Sequence, residues 1–497
     1  MKKYIYFVTN QNHWFNVAKK LHKMGIAEPV LWLGDDVHYD RAKAIFGDNV
    51  VLDLIHRHRN YELVDIEYNG EYEEFFFSEN YLRAKDRCIK MMDRLDLYGT
   101  FGRLDREITF HNLVIWNLKK IYISPPDALI ATEAPHDYAK YLIYEICLFL
   151  DIPCYKFVNW IQVPLLFLQN MKSDKILEKK EKIKNDFDSK MIDSLELLIE
   201  SITNKDTNYE LPYMKSQRKK ARTYFRLLKF FKHGIVEILK DIKHNFGMYI
   251  ISKYNPINPF RLNIISRLLI QRKRHKNLLK ASKESEEKIT DYNQYVYFPL
   301  HYEPERTTNP DGGIFHDQFL TIVSLRKMIP DYIDIIIKEH PSQFFHRDKG
   351  ARGRSPLIYK LLKNVRGIKI AQTSHSSQEL IKNSIFTATI AGMAAFEAAI
   401  NGKKALIYGS SWFNGCPNTF SWHEELSYKE IMEAKLNSKT EILNFLINHK
   451  EKYSVPGFIN GSQRKNAKKD YRNDKFEELQ TNSIYELLKQ FFKEELN

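Results

Sequence analysis

The sequence predicts an α/β protein: two doubly wound parallel-sheet domains with a basic, mainly helical segment between them. Three observations predict it. Short apolar runs rich in β-branched and aromatic residues alternate with helical periodicity near both ends of the chain. That alternation stops between about residues 170 and 290. Finally, 497 residues exceed what one hydrophobic core ordinarily supports.

The first domain, 1–169, opens with a strand at Tyr4–Val8 and helical periodicity through Trp14, Val17, Leu21 and Met24. Strands follow at Pro29–Leu33 and Val50–Leu54, then helices at Tyr81–Leu97 and Glu107–Ile121. Pro125-Pro126 breaks the chain before a short buried strand, Ala128–Thr132; a helix from Asp137 to Leu150 and a strand at Cys154–Val158 complete the pattern. Residues 170–290 are Lys-rich and read as a helical insertion and linker. The second domain, 291–460, resumes the rhythm. Strands are expected at Tyr295–Leu300, Ile333–Lys338, Ile368–Ala371, Ile385–Ile390 and Lys404–Tyr408. Helices are expected at Asp317–Met328, Ser355–Lys363, Gln378–Asn383 and Met393–Ile400. The tail, 461–497, holds an amphipathic helix from Asp474. No solenoid-like repeat is present.

Hydrophobic residues at 43% and charged residues at 28% exclude a disordered chain, a collagen-like repeat and a polytopic membrane protein. Cys88, Cys147, Cys154 and Cys416 form no CxxC pair, which implies a reducing compartment and no structural zinc. The apolar run Tyr4–Val8 is too short for a signal peptide. No run reaches the ~20 residues of a spanning helix, the best being interrupted by Glu145 and Glu397. A cytoplasmic protein is expected.

The net charge of +14 is unevenly placed. Lys215 to Lys280 carries 18 Lys and Arg against Glu237 and Asp241, so this window holds +16 and the remainder −2. Tyr224, Phe225, Leu227, Leu228, Phe230, Phe231, Ile235 and Ile238 interleave the cations at an approximately helical period. Such a segment suits a solvated helical hairpin packed on its own protein, or an anionic membrane surface, where each cation contributes about 1 kcal/mol. Nucleic-acid phosphates are a third partner for it, but no nucleic-acid motif occurs elsewhere, and no nucleic-acid partner is expected.

Ligands of doubly wound sheets bind beyond the carboxyl ends of the strands, so chemistry is sought in those loops. "HYEPERTTNPDGG", from His301, gathers His301, Tyr302 and Glu303; Gly312-Gly313 then lets backbone amides approach an anion. An ordinary turn is the plainer reading. The next strand ends Lys338-Glu339-His340-Pro341, where Pro341 holds His340 extended and its N–H can donate to a phosphate; a buried structural His fits equally. Thr387, Thr389 and Gly392 crowd a strand-to-helix turn with small residues, and Glu397 follows in the helix, placed to accept from ribose hydroxyls. Tight helix–sheet packing also favours this pattern. In the first domain Glu133, His136 and Asp137 follow a strand. Glu133 is placed to act as base or nucleophile, while Asp137 suits a helix cap. His13 and Trp14 either line a cleft or begin a helix.

"YFPLHYEPERTTNPDGG", "KEHPSQ", "TATIAGMAAFEAAINGKKALIYG" and "EAPHDY" together resemble the bacterial capsule and surface-polysaccharide glycosyltransferases related to the retaining β-Kdo transferases. The resemblance covers Tyr295–Phe413 most specifically, residues 1–160 more thinly, and 170–290 not at all. It implies a GT-B fold, with acceptor binding in the first domain, donor binding in the second and a cleft between. It also implies a metal-independent reaction with no cofactor beyond a nucleotide-sugar co-substrate. His340-Pro341 matches the His-Pro motif that contacts the donor phosphate in enzymes using CMP-activated sugars. Thr387 and Thr389 would sit near that phosphate and Glu397 near the ribose, while Glu133 matches only the general idea of a catalytic carboxylate in the acceptor domain. The acidic-acidic-glycine motif of some CMP-sialic acid transferases is missing. The expected function is transfer of Kdo or a related ulosonic acid from a CMP donor to a surface glycan. CMP-sialic acid, a UDP-sugar or CDP-glycerol are alternative donors, and a non-catalytic membrane scaffold is the alternative role.

Overall fold

The computed structural model describes residues 1–34, 36–52, 71–95, 102–161, 163–180, 187–204, 264–290, 294–304, 308–345, 350–351, 353–467 and 469–496. Most of the basic window, 215–263, lies outside them, as does the end of the strand expected at Val50–Leu54.

Two compact units form. The first comprises Met1–Met92, Arg103–Ile199 and Leu443–Asn497. Its strands are β1 (Lys2–Phe7), β2 (Ala27–Gly34), β3 (Val50–Leu52), β4 (Ala128–Ala131), β5 (Cys154–Asn159), β6 (Leu165–Asn170) and β13 (Val455–Pro456). They assemble in the order β13-β6-β5-β4-β1-β2-β3. The β3-β2-β1-β4-β5 portion is parallel, whereas β6 and β13 run antiparallel. β1 is buried because Tyr4 and Tyr6 fill one face and Ile5 and Phe7 the other, and an interior parallel strand exposes neither.

The second unit comprises Asp93–Gly102 and Glu200–Ile442. Its strands are β7 (Tyr295–Pro299), β8 (Asp334–Lys338), β9 (Ile368–Ala371), β10 (Phe386–Thr389), β11 (Lys404–Ile407) and β12 (Thr419–Ser421). All pairings are parallel, in the order β12-β11-β10-β7-β8-β9. This is the doubly wound order 3-2-1-4-5-6. The chain thus contains two Rossmann-like α/β domains, the pair of domain types that the GT-B architecture combines. The helix Met393–Ile400 stops where Gly402, at φ +70°, turns the chain back so that the Gly402 and Lys403 amides reach the carbonyls of Ala399 and Ala398.

Domain boundaries differ from the expected ones. Residues 170–199 belong to the first unit: Leu177 donates its N–H to the Leu168 carbonyl, continuing the β6 hairpin. The helix Ile264–Ser285 belongs to the second unit, where Leu278 enters the core and Glu287 bonds the Ile370 carbonyl. Residues 443–460 and the tail return to the first unit. The reason is packing. The helix Asp474–Gln490 and its π-helical extension Phe491–Glu495 lay Ile484, Leu487, Leu488, Phe491 and Phe492 into the same core as Tyr4, Trp14 and Phe157. The Tyr4 and Phe492 rings are 5.0 Å apart, and Lys20 Nζ lies 4.1 Å above the Tyr485 ring.

Because Leu488 is fully buried there, a Leu488→Ala variant is expected to lose about 2–5 kcal/mol of stability. Urea denaturation followed by circular dichroism checks this; a change within 0.5 kcal/mol would detach the tail from the core.

Candidate functional site

In the second unit the strand order reverses between β7 and β10, which makes the loops after them the geometrically favoured ligand position. The loop after β7 begins with His301. Its N–H donates to Gln318 Oε1 at 2.9 Å, and its carbonyl accepts from Gln318 Nε2 at 3.2 Å and Arg354 Nη2 at 2.7 Å. With its backbone fixed, the His301 ring crosses to β10, where Nε2 lies 3.0 Å from Thr389 Oγ1. Thr389 Oγ1 also accepts the Gly392 N–H at 3.2 Å. A Cβ on Gly392 would come within 2.8 Å of that oxygen and 3.2 Å of His301 Cε1, so glycine is what permits this approach.

β8 ends at Lys338. The next residue, Glu339, is 1% exposed and carries four interactions. Arg354 Nε stands 3.1 Å from Oε2, Arg354 Nη2 donates to Oε1 at 3.2 Å, Tyr359 donates its hydroxyl at 2.8 Å, and the His340 amide donates at 2.9 Å. Pro341 follows His340 directly, as expected. It opens a helical turn, with the Gln343 amide on the His340 carbonyl at 2.9 Å and the short helix Ser342–Phe345 beyond. Proline suits the first turn because its missing N–H would have no partner there. His340 Nδ1 accepts from the Ser342 amide at 3.2 Å, which leaves the proton of the neutral ring on Nε2, available as a donor. Burial, then Lys338 and Arg354, push the His340 pKa down to about 4. Burial, then His340 and Arg354, push His301 down to about 3. Both rings are therefore neutral at pH 7.

Lys338 is also buried, and its Nζ donates to Ser377 Oγ at 2.7 Å. Burial lowers its pKa to about 8. Tyr302 places its ring centroid 6.4 Å from that of His340.

Other expected donor contacts take structural roles instead. Glu303 Oε1 accepts from Gln318 Nε2 at 2.9 Å, and the Glu303 backbone is held at both ends by Gln343, with N–H on Oε1 at 2.8 Å and carbonyl on Nε2 at 2.9 Å. The Gly312 and Gly313 amides do not face an anion: they donate to the carbonyls of Thr308 and Pro310, because the turn closes on itself. The following helix, Gln318–Met328, is capped by Asp317 instead. Thr387 lies in mid-strand, paired with Tyr297 and Ala405 and fully buried, so a phosphate does not reach it. Glu397 Oε2 accepts from Gln378 Nε2 at 2.8 Å on the half-buried side of its helix.

The first unit has its own strand-order reversal, between β1 and β4. There the Thr9 amide donates to Thr132 Oγ1 at 3.1 Å, and the half-buried Glu133 and His136 follow. Asp137 caps the helix Tyr138–Phe149 through the Ala139 and Lys140 amides. His13 and Trp14 line no opening, being 1% and 0% exposed. They hold the returning C-terminal segment, with His13 Nε2 2.9 Å from the Phe458 carbonyl and Trp14 Nε1 donating to the Ile459 carbonyl at 3.0 Å. The structure thus distributes the expected site residues over both units: Glu133 and His136 in the first, the remainder in the second. Among the described residues no three of His, Cys, Asp and Glu are grouped as metal ligands.

No protein-family model matches this chain, and neither does any curated protein sequence. Among solved structures it is similar to two β-Kdo transferase forms of KpsC from Thermosulfurimonas dismutans. The 2,4 transferase is 11% identical, covering 64% of this chain and 79% of that one at a TM-score of 0.25. The 2,7 transferase is 11% identical, covering 72% and 96% at a TM-score of 0.27. The UDP-GlcNAc 2-epimerase of Methanocaldococcus jannaschii is 11% identical over 90% of this chain and 99% of that one, at a TM-score of 0.23. The fold assignment rests on the strand order of the chain's own two sheets.

The residues that sequence reasoning missed are Arg354, Gln318, Gln343 and Ser377, which hold the loops rather than form them. Arg354 lies fifteen residues beyond Glu339, and no motif links the two. Gln318 carried a weak signal, as the first residue of a capped helix with a polar side chain on a buried position.

The two neutral histidines have a pH consequence. Each binds its proton more weakly folded than unfolded, so below pH ~6.5 the unfolded chain protonates first and stability falls, down to about pH 4 for His340 and about pH 3 for His301. A His340→Gln variant is expected to show a shallower loss of urea midpoint between pH 7 and 5 than the parent; an identical slope would contradict a neutral His340.

Proposed function

We propose that the chain is a glycosyltransferase that moves a sugar from a nucleotide donor to a growing bacterial surface glycan, with Kdo or a related ulosonic acid on CMP as the preferred donor. The observation that carries this reading is the His301–Thr389 contact across the β7/β10 reversal, with His340 and Lys338 at the adjoining strand end. Neutral N–H donors and a buried amine at the carboxyl edge of a doubly wound sheet suit a phosphate leaving group. The resemblance of Tyr295–Phe413 to capsule glycosyltransferases supports the same reading.

In this mechanism His340 Nε2–H donates to a phosphate oxygen as the bond between the anomeric carbon and the phosphate oxygen breaks, and the electron pair leaves with the nucleotide. Lys338 offsets the charge that develops there. Glu133, in the first unit, is proposed as the carboxylate that serves the acceptor, either as a base toward its hydroxyl or as a nucleophile. Residues 215–280 would hold the enzyme to an anionic membrane on its cytoplasmic face, which liposome partitioning after neutralising their Lys and Arg would test.

Donor-dependent CMP release is the direct assay. His340→Ala is expected to lower turnover by roughly 10²–10³-fold, and Glu133→Gln to lower it at unchanged donor affinity. Near-parental turnover in the His340 variant would remove it from the chemistry. A panel of CMP-, UDP- and CDP-linked donors identifies the nucleotide.

A further inference from the structure

The helix Ile264–Ser285 lies in the part of the chain where the resemblance to capsule glycosyltransferases is absent, yet the second unit fastens it firmly. Leu278 is fully buried in the core that β7, β8 and β9 share. Just past the helix the chain joins the sheet edge. Glu287 bridges Ala371 of β9, its N–H donating to the Ile370 carbonyl at 2.8 Å and its carbonyl accepting the Gln372 N–H at 3.3 Å. Ser282, one turn beyond Leu278, is also fully buried, although serine is mostly an exposed residue.

The partners of Ser282 account for its burial. Its hydroxyl donates to Glu286 Oε1 at 2.8 Å, and Thr373, after β9, donates to the same oxygen at 2.6 Å. Ser282 also bonds the hydroxyl of Tyr359, on the helix Leu357–Lys363. Burial, then the Glu339 charge, push the pKa of that phenol up, so it stays protonated and has one proton to give. Tyr359 gives it to Glu339 Oε2 at 2.8 Å, and Glu339 Oε1 holds the His340 N–H at 2.9 Å. A line of hydrogen bonds thus runs from Thr373 through Glu286, Ser282 and Tyr359 to the carboxylate at the start of the His340 turn. The single Ser282 proton cannot serve Glu286 and Tyr359 together. Because Thr373 also donates to Glu286, that proton can turn to the Tyr359 oxygen while Tyr359 donates to Glu339. Donors aligned in this way polarise one another and strengthen the last bond.

We propose that Ser282 is a positioning residue for His340, acting through Tyr359 and Glu339 to set the direction of the His340 ring. What the ring does chemically rests on the glycosyltransferase reading above; how it is held does not. Arg354 ties Glu339 to the loop after β7, and Ser282 ties it to the helix Ile264–Ser285. With both ties in place the Ser342 N–H occupies His340 Nδ1 at 3.2 Å and the proton stays on Nε2. Slack at Tyr359 lets this turn shift, and a misplacement of about 1 Å costs up to about 10²-fold in rate.

The test is a double-mutant cycle of Ser282→Ala and Tyr359→Phe in the full chain, with two readouts. Each replacement removes only a hydroxyl, so the fold is expected to be retained, which circular dichroism checks. The first readout is the imidazole nitrogen chemical shifts of His340 at pH 7. The parent is expected to show the Nε2–H tautomer alone, and each variant a mixture with Nδ1–H. The second is CMP release from CMP-Kdo, where each variant is expected to lower turnover about tenfold while the donor KM moves less than about twofold. Because Ser282 acts through Tyr359, the double variant is expected to be no worse than Tyr359→Phe alone. The parent's tautomer in Ser282→Ala would overturn the proposal, whatever the turnover. Additive losses in the double variant would overturn the path through Tyr359. A parent that releases no CMP, with the expected tautomer changes in the variants, would overturn the CMP-donor reading and support the positioning role.

Discussion

The second unit's site depends on one buried ion pair, Arg354 with Glu339. Arg354 faces the Glu339 carboxylate with Nε and Nη2, and Nη2 also donates to the His301 carbonyl, so a single side chain joins the loops that follow two neighbouring strands. The arrangement is rigid because the planar fork has fixed donor directions. It is also vulnerable: removing either partner of such a pair leaves an uncompensated charge in the interior, which costs about 3–5 kcal/mol. Tyr359 and the His340 amide complete the carboxylate's hydrogen bonds, which is what makes a buried charge tolerable at that strand end.

That scaffold sets the electrostatics of the histidines. His301 and His340 each lie near the Arg354 charge in a desolvated setting, and both effects disfavour imidazolium. The rings are consequently donors of fixed polarity rather than titrating groups at neutral pH. A site of this kind stabilises a developing negative charge through oriented dipoles that need no reorganisation during reaction.

The sheets were largely legible in the chain because their strands are short, apolar and separated by helices with a clear period. Every parallel strand expected in the second unit is present. β6 was not anticipated, since Leu165–Gln169 is uniformly buried and shows no alternation, and periodicity alone cannot separate such a run from a helix segment. The site was legible only in part. Lys338 ends a strand and His301 and His340 come just after strands in sequence, so they could be placed. Gly312, Gly313 and Thr387 share the right composition, but local hydrogen bonds and strand alternation, which composition does not encode, occupy their polar groups or bury them. Glu303 was drawn into the scaffold by Gln318 and Gln343, both distant in sequence.

The first unit takes its final strand and last helix from residues at the far end of the polypeptide. During vectorial synthesis, β1 through β6 emerge from the ribosome hundreds of residues before the segment that covers them. The intervening unit is complete in sequence by Ile442 and can fold while its predecessor waits. Until that segment is made, the edge of β6 and the apolar side of the nascent sheet stay uncovered. A premature stop codon near the 3′ end would therefore damage the domain made first rather than the one made last.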